Sequence, residues 1–289
     1  MEGEIVEDLR ARVDAVPFWW HSIDLGDGVV TPGVKSATLL QAELDTLGIG
    51  DLSGKSVLDI GSYDGFYAFQ AERLGAERVV ALDHYTWSMD LGGFDAYRRR
   101  CIESGTPVEE PHTLADYWRP DTLPGRRGFE TAHAALGSEV EVVVADFMDC
   151  DLASLGTFDV VLYLGVLYHM RHPLLALERV AAVTSPRGTA MIETLAESFR
   201  ASERHKLCRF MEGDELNSDA SNWWSFNEPA MLAMCREAGF ASATLQRAPA
   251  RWKRRAAALA RGTVSYRAVL HASRAADTSV RKSSRHHSA

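Results

Sequence analysis

Short runs rich in valine, leucine and isoleucine alternate with amphipathic segments along most of the chain, and this alternation is the strongest constraint on its fold. The strand-like runs are KSVLDIG, ERVVALD, VEVVVADF, FDVVLYLGV and GTAMIET, and the helix-like ones are FYAFQAERLG, GFETAHAALG, PLLALERVAAVT and PAMLAMCREAGF. Apolar strands that alternate with helices are typical of a parallel sheet covered on both faces. Two last strand-like runs, SATLQRA and VSYRAVLHAS, lack such a crossover helix. The sequence therefore predicts an α/β fold with a mostly parallel sheet and an antiparallel C-terminal strand.

The composition fits a protein with a sizeable core and no membrane-spanning segment. Hydrophobic residues make up 46% of the 289 residues, and no run approaches the ~20 apolar residues of a membrane helix. The N-terminal sequence MEGEIVEDLRARVDAV is acidic and amphipathic, so it does not resemble a signal peptide. The four cysteines are scattered, which argues against a zinc site and disulfides and favours reduced thiols. We expect a cytoplasmic protein.

The charge is unevenly distributed along the chain. From Arg247 onwards, 11 Lys and Arg residues stand against one acid, Asp277, so this segment carries about +10 and the rest about −19. A basic segment can bind phosphate or an acidic partner, and it is equally typical of a solvated surface with a frayed tail. The sequence leaves both interpretations open, and it predicts a disordered basic tail over residues 273–289.

The same alternation indicates how the chain is organised. Residues 1–50 precede it and are expected to form a helical cover over the active site, and residues 51–272 form the predicted α/β domain. Two segments of that domain, 84–125 and 196–228, are longer than ordinary connections. Long ordered loops in compact domains are usually lids or binding loops, so we expect both segments to act as lids.

A glycine turn follows the first strand-like run. Gly61 and Gly65 flank Tyr63 there, and glycine lets a backbone approach a ligand and adopt a positive φ. Asp83 ends the next strand-like run, where a carboxylate suits the two hydroxyls of a ribose. Dinucleotide folds usually have GxGxxG, whereas this turn is GxxxG and follows Asp59, which would repel a pyrophosphate and suit an ammonium group. The turn therefore favours S-adenosylmethionine over NAD.

Two further stretches complete the predicted nucleotide site. Asp146 and Phe147 end VEVVVADF, and such a pair can bond an adenine amino group and pack against its ring. The following strand-like run ends at the same edge of the sheet, where the transferred methyl group is expected. The residues at and after that end are Leu164, Gly165, Tyr168 and His169.

With these residues, the chain resembles the class I S-adenosylmethionine-dependent methyltransferases and is most similar to the branch containing the bacterial tRNA wobble-uridine carboxymethyltransferase. The resemblance spans about residues 18–245 and is most specific in GVLYHMRHPLLAL. It implies a Rossmann-like, seven-stranded sheet with the cofactor in its mouth and the acceptor held by the N-terminal segment and the insertions. The cofactor-binding residues that it implies are Asp59, Gly61, Gly65, Asp83, Asp146, Phe147 and Leu164. Their neighbours Ser62, Tyr63, His84 and Gly165 complete the cofactor-binding candidates.

The chain departs from this branch in two places. Tyr63 replaces a common motif glycine, and the 84–125 insertion is longer. WHSIDLGDGVVTPG and DIGSYDGFYAFQAERLGA also resemble methyltransferases of bacterial glycan and natural-product pathways. Lys35 roughly matches a lysine that the tRNA enzyme uses for carboxy-S-adenosyl-L-methionine. We expect S-adenosyl-L-methionine as the cofactor, with the carboxylated form as the alternative.

Methyl transfer to a hydroxyl needs a positioned nucleophile and a base that removes its proton. His169 is the first candidate base, because histidine titrates near neutral pH and this one lies at the edge of the sheet. It can equally orient a loop or bond the cofactor. The other catalytic candidates are Tyr168, which can shape the pocket, His84, and His21 from the N-terminal segment.

Aromatic and polar residues outside the alternation are the candidates for acceptor binding. Trp223 and Trp224 can wall a pocket for a sugar or an aromatic ring, and they can equally close the core. The substrate-binding candidates are Trp20, Lys35, Trp87, Asn222, Trp223 and Trp224. The nearby acids Glu212 and Asp219 do not complete an Asp/Asp/Asn metal site, so we expect no metal.

Three functions remain open at this point. The first is O-methylation of a hydroxylated small molecule, such as a sugar or a natural-product metabolite. The second is tRNA wobble-uridine methyl or carboxymethyl transfer, in which the basic segment would contact phosphates while the acidic body would repel RNA. The third is a non-catalytic, nucleotide-binding regulatory protein. The sequence favours the first, with a small-molecule partner rather than nucleic acid or a membrane, and leaves the oligomeric state open.

Overall fold

The computed structural model describes residues 2–199 and 205–276. Its strands are β1 (Ser56–Ile60), β2 (Arg78–Asp83), β3 (Glu141–Val144), β4 (Phe158–Leu164), β5 (Thr184–Phe199), β6 (Cys208–Phe210), β7 (Trp224–Phe226), β8 (Ser242–Arg247) and β9 (Thr263–Ser273). Its helices are α1 (Glu2–Asp14), α2 (Ala37–Leu47), α3 (Phe66–Arg73), α4 (Leu91–Ser104), α5 (Arg127–Leu136), α6 (Leu152–Leu155), α7 (Pro173–Val183), α8 (Glu228–Glu237) and α9 (Arg251–Arg261).

Capping residues explain where several helices begin and end. The Ser36 side chain accepts a hydrogen bond from the Leu39 N–H at the start of α2, and Gly48 ends that helix with a φ of 63°. The Asn227 side chain accepts the Ala230 N–H at the start of α8, where Pro229 lies in the first turn. These polar and glycine residues satisfy backbone groups that a helix leaves free at its ends.

The sheet confirms the predicted fold class. Strands β3, β2, β1, β4 and β5 pair in that order and in parallel. β9 runs antiparallel to β5 from Thr189↔Ser273 to Phe199↔Thr263, and β8 pairs antiparallel with β9. Strand order reverses between β1 and β4, and ligands of doubly wound sheets bind beyond the carboxyl ends of the strands at such a reversal.

The prediction of seven strands was wrong, because the sheet of the described residues has nine. β5 continues to Phe199, whereas its partner β4 ends at Leu164, which pairs with Glu193. The free edge beyond that point pairs with β7 at Ala196↔Phe226, and β7 pairs with β6. Part of the predicted lid 196–228 therefore extends the sheet. Three-residue strands such as CRF and WSF are too short to show a period in the sequence.

The core lies on both faces of the sheet. One cluster packs alternate residues of β1 and β4, such as Leu58 and Val161, with α7 and α8. The other cluster contains residues of α3 and α5 together with Trp19, Ile23 and Leu25, which are 1–5% exposed. The N-terminal segment thus contributes side chains to the core of the domain.

The two insertions contact each other beside the carboxyl ends of the strands. Most of the 84–125 segment consists of α4 and the turns after it. Arg98 Nε donates to the Ser218 carbonyl at 2.8 Å, and the Val108 N–H donates to Asp214 Oδ2 at 2.9 Å. The two segments therefore form one layer above the sheet edge.

The basic C-terminal segment is partly structural. α9 connects β8 and β9, and its Arg254 is buried, with an ion pair to Glu228 at 2.8 Å and a hydrogen bond to the Tyr266 hydroxyl. Of the predicted disordered tail, Ser273 is the last residue of β9, and residues 277–289 lie outside the described part of the chain. Within the described ranges, none of the helices has the length and apolar character needed to cross a membrane.

Replacing Gly65 by alanine should destabilise the protein more than the same change at Gly137. Both glycines have a positive φ, of 87° and 58°, but a Cβ at Gly65 would meet Phe69 and Phe129 at 2.5 and 2.7 Å, whereas a Cβ at Gly137 meets nothing within 4 Å. We expect the free energy of unfolding in urea to fall by at least about 2 kcal/mol for Gly65→Ala and by about 1 kcal/mol for Gly137→Ala. Equal losses would show that the turn has room for a side chain.

Candidate active site

The turn after β1 is held in a conformation that L-residues rarely adopt. Gly61, Tyr63 and Gly65 have φ values of 76°, 58° and 87°. A left-handed conformation costs about 1–2 kcal/mol for a residue with a Cβ. Two hydrogen bonds stabilise it at Tyr63: its N–H donates to Asp83 Oδ2 at 3.0 Å, and its carbonyl accepts from Trp87 Nε1 at 2.6 Å. The side chains of Asp83 and Trp87 therefore stabilise a backbone conformation that a glycine at this position would adopt without strain.

Asp83 joins the ends of β1 and β2. Besides the Tyr63 N–H, its carboxylate accepts the Thr86 N–H at 3.0 Å and the Thr86 hydroxyl at 2.6 Å. The side chain is buried, and desolvation raises its pKa while these hydrogen bonds oppose the rise. A role of Asp83 toward a ribose stays a prediction, because its hydrogen bonds in this structure hold the turn.

Asp59 and Ser62 have unused hydrogen-bonding capacity at the turn. Asp59 is 2% exposed, and burial raises the pKa of its carboxyl to about 7. Asp59 Oδ2 and Ser62 Oγ are buried, and neither has a hydrogen-bond partner among the described residues. A buried acceptor without a hydrogen-bond donor lowers the stability of the fold unless a ligand supplies the donor.

Asp64 is a site residue that the sequence analysis missed. Its Oδ2 accepts the backbone N–H groups of Trp20 at 2.9 Å and His21 at 2.8 Å, and its Oδ1 contacts His21 Nδ1. The carboxylate is buried. An acid placed inside a glycine turn is the signal that could have identified it. Asp64 attaches the N-terminal segment to the turn.

Aromatic packing strengthens this attachment. The Trp20 ring stacks on Tyr63 with centroids 5.9 Å apart, and the His21 ring stacks on Phe66 at 5.4 Å. The N-terminal segment therefore lies directly on the turn. The contact of His21 Nδ1 with Asp64 favours a positioning role for this histidine, and our proposed site does not use it as a base.

Several other predicted residues lie in or near the protein interior. Trp87 is fully buried against Phe129, so we leave it out of the proposed acceptor site. Phe147 belongs to the core, with its carbonyl accepting from Arg179 Nε at 2.7 Å. Asp146 is exposed and accepts the Met148 N–H, and His84 packs edge-on to Trp118 of the first insertion.

Tyr168 and His169 lie on a 3₁₀ turn directly after β4. The centroids of their rings are 4.1 Å apart. His169 Nδ1 lies 3.0 Å from both the carbonyl and the hydroxyl oxygen of Ser221. Burial lowers the pKa of His169, and the nearby Asp219 charge opposes this. The lowered pKa favours the neutral imidazole, which is the form that a general base requires.

Leu164 and Gly165 form the end of β4 beside these two residues. The Gly165 N–H donates to the Glu193 carbonyl at 3.0 Å, and its φ is 73°. The guanidinium of Arg267 lies 4.8 Å from the Tyr168 ring centroid and forms an ion pair with Glu193. Arg267 was not predicted, and its position in the last strand gave no local signal.

Lys35 lies in the N-terminal segment and is already paired. Its Nζ is 2.8 and 2.9 Å from the two carboxylate oxygens of Glu43, which also accepts the Tyr67 hydroxyl at 2.6 Å. Lys35 and Arg267 therefore each face a carboxylate of the protein itself. An additional negative charge on a ligand would compete with Glu43 and Glu193 for them.

The predicted tryptophan pair lies beside Tyr168. The Trp223 N–H donates to the Tyr168 carbonyl at 2.9 Å, and Arg171 lies 4.1 Å above the Trp223 ring. Trp224 begins β7 and its Nε1 donates to the Arg171 carbonyl at 3.4 Å. Asn222 is buried, and its Oδ1 has no partner within the described ranges. The second insertion thus supplies polar and aromatic groups next to His169.

A family model described as a methyltransferase domain matches residues 35–245. The chain belongs to this methyltransferase family. The match includes the turn after β1, Asp83 and the Tyr168–His169 pair, and it confirms the class I S-adenosylmethionine-dependent methyltransferase family indicated by the motifs. A purely regulatory nucleotide-binding protein is therefore no longer a candidate.

The relatives of this methyltransferase include tRNA U34 carboxymethyltransferases. It is 24% identical over 193 residues to the enzyme of Idiomarina loihiensis, covering 66% of this chain and 47% of that protein. It is 29% identical over 192 residues to the enzyme of Colwellia psychrerythraea, covering 66% and 46%. The chain thus spans about half the length of the curated relatives it matches.

Solved structures show the same fold. The N-terminal domain of EvdMO1 with S-adenosylhomocysteine bound has a TM-score of 0.54 at 17% identity, covering 93% of this chain and 96% of that one. Haemonchus contortus phosphoethanolamine N-methyltransferase 2 has a TM-score of 0.52 at 13% identity, covering 83% and 53%. At these identities the likeness concerns the fold alone.

The residues of the turn fit S-adenosylmethionine, the cofactor of this methyltransferase family. Asp59 Oδ2 and Ser62 Oγ lack partners and can accept hydrogen bonds from an ammonium group. Gly61 and Gly65 leave backbone accessible at the mouth of the sheet. The cofactor's amino-acid end therefore fits beside Asp59 better than a pyrophosphate would, since a phosphate would meet a like charge.

The affinity for S-adenosylhomocysteine should rise with pH through neutrality. With a carboxyl pKa of about 7, Asp59 is mostly protonated at pH 6 and mostly ionised at pH 8. Only the ionised form attracts the ligand's ammonium group, so the dissociation constant should fall by close to tenfold between these pH values. Titration calorimetry at both pH values measures the two dissociation constants.

An Asp59→Asn variant is the control for this titration. It should bind more weakly and with no pH dependence, because its amide does not ionise. If the variant kept the pH dependence of the original protein, another group would be responsible and the assignment of Asp59 would fail.

Removing Asp64 should loosen the N-terminal segment. Asp64→Ala leaves the N–H groups of half-buried Trp20 and buried His21 without their acceptor, so the free energy of unfolding should fall by about 2–4 kcal/mol. Amide hydrogen exchange at Trp20 and His21 should accelerate by the greatest factor. Asp45→Ala, at an exposed position, should change stability by less than about 0.5 kcal/mol. Unchanged exchange at Trp20 would contradict the attachment.

Proposed function

We propose that the chain transfers a methyl group from S-adenosylmethionine to a hydroxyl oxygen of a small molecule, with His169 as the base. One observation carries this proposal: His169 lies just after the carboxyl end of β4, where strand order reverses, with its Nδ1 3.0 Å from the Ser221 carbonyl oxygen. Its Nε2 has no hydrogen-bond partner among the described residues and is available for a substrate proton.

The cofactor and the protein would contribute different parts of the reaction. When bound, S-adenosylmethionine supplies an electrophilic methyl group, and the protein positions the acceptor in line with it. A hydroxyl is a poor nucleophile until its proton is removed, and a neutral histidine near the reacting oxygen removes it. Asp59 and the turn would hold the amino-acid end of the cofactor, and Tyr168 and His169 would lie beside the acceptor.

The surroundings of His169 suit a hydroxylated acceptor. Trp223 offers a partly exposed ring, and the unpartnered Asn222 Oδ1 offers an acceptor for a hydroxyl hydrogen. Aromatic faces with a few polar groups are typical of sugar and metabolite pockets. The EvdMO1 N-terminal domain was solved with S-adenosylhomocysteine and D-fucose, so deoxysugars are the first acceptors to test.

Modification of tRNA is the second candidate, because the curated relatives bear that name. The positive charges of Lys35 and Arg267 are compensated by Glu43 and Glu193, which disfavours a cofactor with an additional carboxylate. The body outside the basic segment carries about −19, which would repel an RNA backbone. Both observations favour the small-molecule acceptor.

Replacing His169 tests the proposed base. A panel of deoxysugars and hydroxylated natural products identifies an acceptor through the S-adenosylhomocysteine released. With that acceptor, His169→Ala should lower kcat by about 10²- to 10⁴-fold and leave the dissociation constant for S-adenosylhomocysteine within twofold. His172→Ala, an exposed histidine three residues away, should keep full activity. Unchanged turnover in His169→Ala would exclude this histidine as the base.

Comparing two cofactors separates the candidate functions. We expect S-adenosylmethionine to bind at least about tenfold more tightly than carboxy-S-adenosylmethionine, because the added carboxylate would have to displace Glu43 or Glu193. Titration calorimetry measures both affinities. The opposite preference would favour tRNA as the acceptor and Lys35 as a ligand of the carboxylate. Glu43→Gln removes the charge that pairs with Lys35, so it should reduce the difference between the two dissociation constants.

A further inference from the structure

Asp219, Ser221 and His169 form a hydrogen-bonded series that neither the sequence nor the relatives indicated. The Ser221 hydroxyl donates to Asp219 Oδ1 at 2.6 Å. His169 Nδ1 lies 3.0 Å from that same hydroxyl oxygen and 3.0 Å from the Ser221 carbonyl oxygen. Ser221 is buried, so water does not compete strongly for these contacts.

The positions of the hydrogens follow from simple counting. A carbonyl oxygen only accepts, so Nδ1 must carry a hydrogen to bond with the Ser221 carbonyl. A hydroxyl has one hydrogen, and in Ser221 that hydrogen is committed to Asp219. Towards His169 the hydroxyl oxygen can therefore also only accept. Both contacts require the Nδ1–H form of the imidazole.

We propose that Asp219 and Ser221 are positioning residues that fix His169 in its Nδ1–H tautomer, so that Nε2 carries the lone pair used as the base. The assignment of the tautomer rests on the contacts above, and the role as base rests on the proposed function. The second insertion, which carries both residues, is then a required part of the active site.

Further hydrogen bonds fix the turn that carries Asp219 and Ser221. The Ser221 N–H donates to Asp219 Oδ1 at 3.0 Å, and the Asn222 N–H donates to the Asp219 carbonyl at 3.2 Å. The Trp223 N–H then bonds to the Tyr168 carbonyl at 2.9 Å. Ser221 is thus fixed relative to the 3₁₀ turn of His169 from two sides.

The proton and electron balance of the step is simple. The hydroxyl oxygen of the acceptor forms a bond to the methyl carbon as the carbon–sulfur bond breaks and its electron pair stays on sulfur. The hydroxyl proton moves to His169 Nε2, and the imidazolium later releases it to solvent. The negative charge of Asp219 stabilises the imidazolium of His169. The positive charge of Arg267 destabilises it, but Arg267 is paired with Glu193.

Asp219 determines which way the serine hydroxyl points. Without this carboxylate, the Ser221 hydroxyl is free to rotate and donate to Nδ1, which stabilises the opposite tautomer, with the lone pair on Nδ1. Loss of the negative charge also removes a group that favours the protonated imidazole. The variant Asp219→Ala should therefore change both the tautomer and the pKa of His169.

Nuclear magnetic resonance of the full chain with ¹⁵N-labelled histidine tests this without any acceptor. The chain has 10 histidines, and the His169→Gln variant assigns the signal of His169. We expect the Nδ1–H tautomer in the original protein. In Asp219→Ala we expect a larger Nε2–H fraction and a lower pKa of His169, because the Asp219 charge favours the protonated imidazole. Glu212→Gln, an exposed acid of the same insertion, should change neither.

A double variant distinguishes the effect of Asp219 on the tautomer from that of Ser221. In a Ser221→Ala background, Asp219→Ala should no longer alter the tautomer, because the hydroxyl that could rotate is absent. Binding of S-adenosylhomocysteine reports whether each variant is folded. An Nε2–H tautomer in the original protein would overturn the proposal, as would identical spectra for Asp219→Ala and Glu212→Gln. Activity that survives in His169→Ala would instead refute the proposed base and leave the tautomer result standing.

Discussion

The hydrogen bond from the Tyr63 N–H to the buried Asp83 carboxylate is the interaction on which the site depends. It holds a tyrosine in a left-handed conformation that costs about 1–2 kcal/mol, and it links the ends of β1 and β2. Trp87 holds the carbonyl of the same residue. Because Tyr63 is fixed in this way, Asp59 and Ser62 are left with unpartnered oxygens at the turn, and Asp64 faces the N-terminal segment.

Three segments outside the parallel sheet meet around this turn. The N-terminal segment is attached through Asp64 and stacks on Tyr63. The two insertions bond to each other through Arg98 and Ser218, and the second insertion reaches His169 through Ser221. The predicted cofactor-binding residues lie mostly in the turn after β1 and at the carboxyl ends of the strands, whereas the predicted acceptor-binding residues lie in the N-terminal segment and the two insertions. This division explains why the cofactor can be read from motifs and the acceptor cannot.

The sequence predicted the parts of the structure that have a local signal. Strand and helix periods predicted the parallel sheet, the glycine turn with Asp59 predicted the cofactor, and the resemblance carried by GVLYHMRHPLLAL predicted the family. The additional strands β6 and β7 were missed because three residues show no period. Ser221 and Arg267 were missed because their roles come from contacts with residues 52 and 74 positions away. Asp83 accepts a hydrogen bond from the turn, a contact that the sequence did not indicate, and its role toward a ribose stays a prediction.

A structure of the chain in complex with S-adenosylhomocysteine tests the central claim most directly. The account predicts the ligand's ammonium group within hydrogen-bonding distance of Asp59, with the sulfur facing the Tyr168–His169 pair. A ligand whose amino-acid end lies away from Asp59, with the turn at Tyr63 rearranged, would contradict it.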